Sequence, residues 1–580
     1  MDVDSGNEPS SFARLGAHRA YLATERFVSQ LEASFPVSRQ QARHNMPTNT
    51  RKAKHANSVA WKPSTSQCLV MATLCSLSLM VSLDASVLVT SLNAIIVDLQ
   101  IDTTQGFWIA TSYLLANTIS MPTAAALSDI FGRRICLLAS LAFFSAGSIL
   151  CCLAENISIM LAGRCLQGVG GGGIIILSLV IFTDIVPLKS RPKWYAMILG
   201  AWALGNCTGP TIGGAIAQYT TWRWVFYLVF PFCAIGIVTI ILMAETGAKN
   251  ARLASFDSIG CVCFTASITS FLIAVSWGGV QYSWTSATTL GPLVVGLCGL
   301  IATVIFEAHV KKSPYLRLRL FRNIRVAAPY VCGLLQGLML YGQLYYIPFY
   351  FQSVKGFTAL QTGVAIIPVA VSLVAGSVVS GIVITRLNHV GYPIWGGWVL
   401  AIVATGLTLL WDRDIHQAVW VITLLLLGFG HGAVLNAQNF ATQEMASDDE
   451  HGNAAAMYGF LRQFGMALGV AAGTAVFQNV MSIKLDELGL SREIAVHSES
   501  YIVKLSLLPA GSELKEQALE AYLYGFRGVF GFFTAVAEVT DVTRLTFLSV
   551  WSRRYSFNKV TSGAKSLSLF TCQTMWTRHS

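Results

Sequence analysis

Leu127-Ser128-Asp129-Ile130-Phe131-Gly132-Arg133-Arg134 stands between two apolar runs, 107–127 and 135–154. Each run has the roughly 20 residues an α-helix needs to cross the hydrocarbon of a bilayer. Gly132 permits a tight reversal. Asp129 is placed to bond Arg133 or a neighbouring helix end. The stretch therefore reads as a very short loop joining two membrane helices, with its charges at one membrane face.

The same alternation of long apolar runs and short charged gaps extends in both directions. Candidate spans cover 66–97, 107–127, 135–154, 157–186, 195–217, 225–244, 257–277, 288–308, 327–351, 362–385, 392–411, 417–440 and 455–480, with a last one near 526–550. Soluble domains carry roughly 25% charged residues. This chain of 580 residues is 12% charged and 54% hydrophobic, with a mean hydropathy of +0.58, too few charges to clothe several soluble cores. The net charge of +10 would suit nucleic acid in a soluble protein, but here the basic residues fill gaps between apolar runs, so no nucleic-acid partner is expected. Basic residues favour the cytoplasmic side. With the N-terminus inside, the inside loops hold Arg133, Arg134, Lys189, Arg191, Lys193, Lys249, Arg252, Lys311, Lys312, Arg317, Arg319, Arg322, Arg325 and Arg386, against Arg223, Lys355 and Arg413 outside. Residues 1–62 are polar and read as a cytoplasmic tail. The 13 cysteines lie mostly inside apolar runs and suggest neither a zinc site nor a disulfide framework.

Three further motifs carry chemistry. Asp84 sits well inside the first span. It reads either as a lone carboxylate that loads and releases a proton or as a permanently ionised, paired group holding helices together. In the fourth span, Arg164-Cys165-Leu166-Gln167-Gly168 puts an arginine in the membrane, which costs some 2.5–3.5 kcal/mol on insertion scales unless it meets a partner, faces a cavity or snorkels outward. In the fifth, Gly205-x-x-x-Gly209-Pro210-x-x-Gly213-Gly214 combines a glycine face that lets a neighbouring helix approach with a proline that bends the helix. A weak repeat is also present: Gly168-x-Gly170-x-Gly172 recurs as Gly428-x-Gly430-x-Gly432, at equivalent places if spans 1–6 and 9–14 form two halves.

Taken in order, these motifs resemble the signature set of the major facilitator superfamily, and the glycine-proline motif resembles that of its antiporter branch. Leu83-Asp84, Trp108-Ile109 with Tyr113, Trp222-Arg223-Trp224-Val225-Phe226, Trp277-Gly278-Gly279, Leu318-Arg319-Leu320-Phe321, Tyr346-Ile347-Pro348-Phe349-Tyr350-Phe351-Gln352 and Arg462-Gln463-Phe464-Gly465 look like the fourteen-helix drug:proton antiporters, especially fungal toxin-efflux pumps. The resemblance covers roughly 66–530. It implies an all-α polytopic membrane protein of about fourteen transmembrane helices: a six-helix lobe over 63–245, two linking helices over 246–310, and a second lobe over 311–550 with an extracellular loop at 481–525. The chain departs from the pattern at Ala125 and Ile130, at Glu538, Asp541 and Arg544 inside the expected last helix, and in the polar tail 551–580.

The activity implied is antiport, exporting toxins, drugs or secondary metabolites across the plasma membrane in exchange for protons, by rocking of two lobes. Asp84 and Arg164 would couple to the proton, and Asp129, Gly132, Arg133, Arg134, Gly205, Gly209, Pro210 and Gly213 would gate. Asn117, Asn206, Tyr341, Gln343, Tyr345, Asn436 and Gln438 are candidate walls of a midplane substrate site. The expected partners are a small organic substrate, protons and lipid, acting on a monomer. No cofactor is expected, since the energy comes from a proton gradient and no phosphate-binding GxxxxGK[ST] loop is present. An importer of the same fold is the alternative. A membrane enzyme would need clustered histidines or an HExxH, neither of which occurs, and a sensor would need a larger signalling tail than 62 residues.

Overall fold

The computed structural model describes residues 61–540, apart from 102, 243–256, 280, 310–314, 322, 388 and 510. Among these, the long helices run in chain order as α1 (Thr65–Asp98), α2 (Thr103–Phe131), α3 (Arg133–Cys152), α4 (Ile157–Ile185), α5 (Arg191–Tyr219), α6 (Trp224–Leu242), α7 (Ser258–Trp277), α8 (Ala287–His309), α9 (Ile324–Ser353), α10 (Ala359–Ala365 followed by Ile367–Leu387), α11 (Gly391–Thr408), α12 (Gln417–Met445), α13 (His451–Glu487) and α14 (513–540). Nine of them are long and apolar enough to qualify as membrane-crossing on length and composition alone.

Local chemistry sets the boundaries. Ser64 and Gln67 form a capping box at the start of α1, as Thr358 and Gln361 do at α10, and the Asn156 side chain accepts from the Ile159 amide to start α4. Gly132, at φ 90°, is the one residue between α2 and α3. Any side chain there would be strained, which is why a glycine makes this turn.

α1 packs along α5, α2 and α3 pack on α4, and α6 closes against α1 and α3. The second half repeats the scheme: α9 packs on α13, and α10 and α11 on α12. α5 meets α10 and α12 across the halves, and α13 meets α2 and α4. Burial follows this order. In its most apolar stretch α4 is 78% buried, whereas α8, which pairs with α7, is 17% buried and turns a row of leucine, isoleucine and valine outward. Such a surface suits lipid.

The end of the chain differs from the expected spans. α13 continues to Glu487 and α14 begins at 513, so the segment expected as a loop over 481–525 contracts to 488–512 and itself folds into two short helices, Glu493–Val496 and Ser498–Leu507. α14 starts earlier than 526 because its apolar face starts earlier. Ala518, Tyr522, Phe526, Phe530, Phe533 and Ala537 are buried at helical spacing against Phe349, Tyr350 and Phe477. Glu538 sits on the exposed side of this helix, while Asp541, Arg544 and the tail 551–580 lie outside the described residues, as does the segment 1–60.

Candidate functional site

The deepest charges lie where α1, α2, α3 and α4 converge. Asp84 and Arg164 are each 1% exposed and form an ion pair of 3.0 Å between Arg164 Nη1 and Asp84 Oδ2. Gln167, one turn along α4 from Arg164, donates through Nε2 to Asp84 Oδ1 (2.8 Å) and to Ser148 Oγ of α3 (2.9 Å), and its Oε1 accepts from Arg164 (2.5 Å). Arg164 Nε donates to the Ile109 carbonyl of α2 at 3.1 Å, and the guanidinium lies over the Tyr113 ring, 4.3 Å from its centroid. An arginine is tolerable inside a membrane bundle when it finds partners of this kind. Asp84 is paired in this geometry, and Arg164 turns inward rather than snorkelling.

Glycines let the four helices come this close. A Cβ at Gly168 would stand 2.6 Å from the Tyr113 carbonyl oxygen, and one at Gly170 would stand 2.8 Å from Phe144 Cα. The glycine face of α5 does the same against α1: a Cβ at Gly205 would lie 2.7 Å from the Leu79 carbonyl oxygen, and one at Gly209 would lie 2.9 Å from Ser86 Cβ. Ser86 donates to the Gly205 carbonyl (3.1 Å) and Thr90 to the Pro210 carbonyl (2.8 Å), lacing α1 to α5 around the proline.

The turn between α2 and α3 marks one end of the bundle, here the near end. Asp129 pairs with Arg133 (2.6 Å) and with Arg317 (3.0 Å), which precedes α9, and Arg133 reaches Asp184 at the end of α4 (3.3 Å). Arg134 donates to the Ile241 carbonyl (2.6 Å), and Thr123 bonds the Tyr315 hydroxyl (2.9 Å). The two halves are also clamped at this end. Arg191 donates to Gln443 of α12 (3.0 Å) as well as to the Val186 and Thr183 carbonyls, and Asn436 of α12 donates to the Pro192 carbonyl of α5 (2.8 Å).

The candidate wall residues separate into groups. Asn436 belongs to this clamp, and Gln343 bonds Thr405 and His431 inside the second half. Asn117 and Gln438 are buried; Asn206 is half-buried and donates to the Trp202 carbonyl one turn back. Tyr345 donates to Glu499 from the segment after α13. Tyr341 is half-buried and within electrostatic range of Arg164 and Tyr113, which brings the second half to the edge of the buried ion pair.

Arg191, Arg317, Gln443 and Glu499 were not among the sequence candidates. The first two stand in basic gaps, where topology alone accounts for a positive charge.

The model of the major facilitator superfamily matches residues 74–470. The chain belongs to this superfamily. It is a multi-pass membrane transporter and not an enzyme. It is 37% identical over 480 residues to the MFS transporter L2 of Phoma sp., covering 81% of this chain and 80% of that one. It is 32% identical over 478 residues to the efflux pump FUS6 of Gibberella moniliformis (80% and 84%) and 33% identical over 443 residues to the MFS-type efflux pump LUC4 of a Fusarium species (75% and 78%). Among solved structures, the human organic anion transporter MFSD10 aligns over 83% of this chain and all of its own, with a TM-score of 0.55 at 15% identity, a likeness of fold alone. A bacterial homologue of the lysosomal transporter Spinster aligns with a TM-score of 0.54 at the same identity, over 84% of this chain and 98% of its own. Superfamily transporters bind small-molecule substrates, and the superfamily stretch contains the site assembled around Asp84 and Arg164.

Proposed function

We propose that this transporter exports small organic compounds, such as toxins or secondary metabolites, across the plasma membrane in exchange for protons, with the near end facing the cytoplasm. The observation that carries the reading is the Asp84–Arg164 pair, each residue 1% exposed, with Arg164 on α4, which packs against α13 of the second half, and Asp84 on α1, which packs along α5. Protonating Asp84 cancels its charge and releases Arg164 from its ionic partner. α1 carries Asp84 and is laced to α5 through Ser86 and Thr90; α5 begins with Arg191 and Pro192, the cross-half clamp. A change at Asp84 thus has a packed route to the near end. Asp129, Arg133 and Arg134 latch that end in this scheme, and two of the half-buried wall residues, Tyr341 and Asn206, are proposed to meet substrate. The proton gradient supplies the energy, with no bound cofactor, and a monomer suffices. The relatives named as efflux pumps support the outward direction.

The test is transport into inside-out vesicles with an acidic lumen, offering a panel of toxic natural products to wild type and Asp84→Asn. Accumulation by wild type, lost in Asp84→Asn, is expected. Normal transport by Asp84→Asn would overturn the coupling, and accumulation only under the reversed gradient would make the chain an importer.

A further inference from the structure

The second half contains a buried polar network on the helices that correspond to those of the Asp84 site. There the groups come from α1, α3 and α4; here they come from α9, α11 and α12, each in the same place within its half. Asp84 and Gln343 each stand 19 residues beyond the first residue of their helix, Thr65 and Ile324. Ser148 on α3 and Thr405 on α11 stand 15 and 14 residues into theirs. In place of the arginine, α12 supplies His431, which is 0% exposed.

The hydrogen bonds run in one direction. Gln336 Nε2 lies 3.4 Å from His431 Nδ1, His431 Nε2 lies 3.1 Å from Gln343 Oε1, Gln343 Nε2 donates to Thr405 Oγ1 (2.8 Å), and Thr405 donates to the Ala401 carbonyl (2.7 Å). The chain describes a neutral imidazole that accepts at Nδ1 and donates at Nε2. It leaves one loose end: Gln336 Oε1 is buried with no hydrogen-bond partner among the described residues. A buried orphan acceptor costs about 1–3 kcal/mol, yet it sits on the same amide that touches Nδ1. Turning that amide by 180° exchanges its nitrogen for its oxygen at nearly the same positions. The oxygen then faces Nδ1 and can accept from an N–H there. The cage therefore accommodates two imidazoles, the neutral form with Gln336 as donor and the charged form with both Gln336 and Gln343 as acceptors.

We propose that His431 is a second proton-carrying residue of the transporter, the second-half counterpart of Asp84, with the Gln336 amide turning over as the proton arrives. The proton comes from solvent and joins the Nδ1 lone pair; no other bond breaks, and the half gains one positive charge. Nothing facing the imidazole fixes that charge in advance. α9 presents the two glutamines and α11 presents Thr405. α10 meets this stretch of α12 through the Ser372 hydroxyl and the Val369 backbone at Gly428 and through the Leu373 backbone at Gly432. α13 brings Tyr458, whose hydroxyl donates to the Leu435 carbonyl one turn along, and α5 brings the Pro192 carbonyl to Asn436. Among the described residues, the hydrogen-bond partners of the imidazole are the two neutral glutamine amides. A histidine in such a neutral cage responds to whether water reaches it, the property a carrier needs when access alternates.

The place of His431 in the cycle rests on the proton-coupled reading above, but its protonation is measured without any substrate. The full chain is prepared in lipid nanodiscs with 15N-labelled histidine. The His431 signal is identified, among ten histidines, by its loss in His431→Gln. The expected result is reversible conversion from imidazolium to neutral imidazole between about pH 4 and 8. Gln336→Glu should raise the midpoint by about 1–3 pH units by placing a carboxylate beside Nδ1. Gln336→Leu, which cannot accept, should hold the ring neutral through the same range. A wild-type ring that stays neutral throughout overturns the proposal, as does a Gln336→Leu variant that titrates like wild type. Either result would leave the Asp84 vesicle experiment untouched.

Discussion

The α1–α5 seam makes a prediction whose sign depends on competing magnitudes. Gly205→Ala adds one methyl group, at a point 2.7 Å from the Leu79 carbonyl oxygen and 2.9 Å from the Leu83 nitrogen. Both atoms are backbone, so no rotamer change relieves the contact and the helices must part by several tenths of an ångström. Overpacking of this kind costs about 1–3 kcal/mol. Parting also stretches the 3.1 Å bond from Ser86 to the Gly205 carbonyl, worth roughly 1 kcal/mol. Against these, alanine gains about 0.5–1 kcal/mol over glycine inside a helix. The net is a loss of about 1–3 kcal/mol. Gly200→Ala, on the same helix, is the control. Its methyl would meet Val374 Cγ1 at 3.5 Å, an ordinary contact, so only the helix gain remains and the variant should be neutral or slightly more stable. Thermal unfolding of the purified protein in detergent measures both. Equal melting temperatures for Gly205→Ala and Gly200→Ala would refute the close seam, and with it the route by which Asp84 is proposed to reach the near end.

Asp84→Ala should cost about 3–5 kcal/mol by stranding a buried arginine, and adding Arg164→Met should recover most of that loss in the same melting assay. Gln443→Leu removes the amide that Arg191 bonds across the halves. The closed near end should weaken by about 1.5–3 kcal/mol, read as faster hydrogen exchange over 436–445. Arg317→Ala should change stability by less than about 1 kcal/mol, because both it and Asp129 keep substantial solvent access, yet should speed proteolytic cleavage between α8 and α9. Glu499 is exposed by surface area, but the protein crowded around its carboxyl desolvates it and raises its pKa, partly countered by the hydrogen bond from the Tyr345 hydroxyl. Its contribution to stability is therefore complete below the unfolded value of about 4.3 and is lost as pH rises through the folded one. Melting temperatures should show Glu499→Gln gaining on wild type between pH 4 and neutrality; a constant difference would contradict the sign.

Much of the first half was legible because its chemistry is written in rare residues. An arginine and an aspartate inside apolar runs have few places to go, and both are found in one cluster. Glycines four apart announced the α1–α5 seam, although only the coordinates name Leu79, Ser86 and Val87 as what they touch. The turn at Gly132 was legible for the same reason, since a single glycine before two arginines leaves room for little else. The far reach of the basic residues was not. Arg191 and Arg317 look like the other positive charges of the inside loops, and no local pattern says that the first bonds α12 while the second pairs with Asp129. The start of α14 is hard to read from the sequence because charged residues flank and interrupt its apolar face. The Ala518, Tyr522 and Phe526 face lies among the charges of 513–520 and becomes apolar only when read at helical spacing.

The network around His431 shows why the second half was harder. The repeat was read through glycines, which align Gly168–Gly172 with Gly428–Gly432 and pair His431 with Gly171. On that alignment Leu424 stands at the place equivalent to Arg164. The polar group has moved along α12 by two turns, while Gln343 keeps the place of Asp84 and Gln336 stands about two turns before it on α9. Helix packing carries the rest of the correspondence: in each half the first, third and fourth helices bury one shared polar cluster. Glutamine and neutral histidine carry no fixed charge, so neither demands an ionic partner as Arg164 does. What the cluster adds is an orphaned oxygen on the same Gln336 amide that meets the imidazole. Whether a buried histidine is structural or carries a proton turns on whether its surroundings can satisfy both of its charge states, and here one amide rotation satisfies the second.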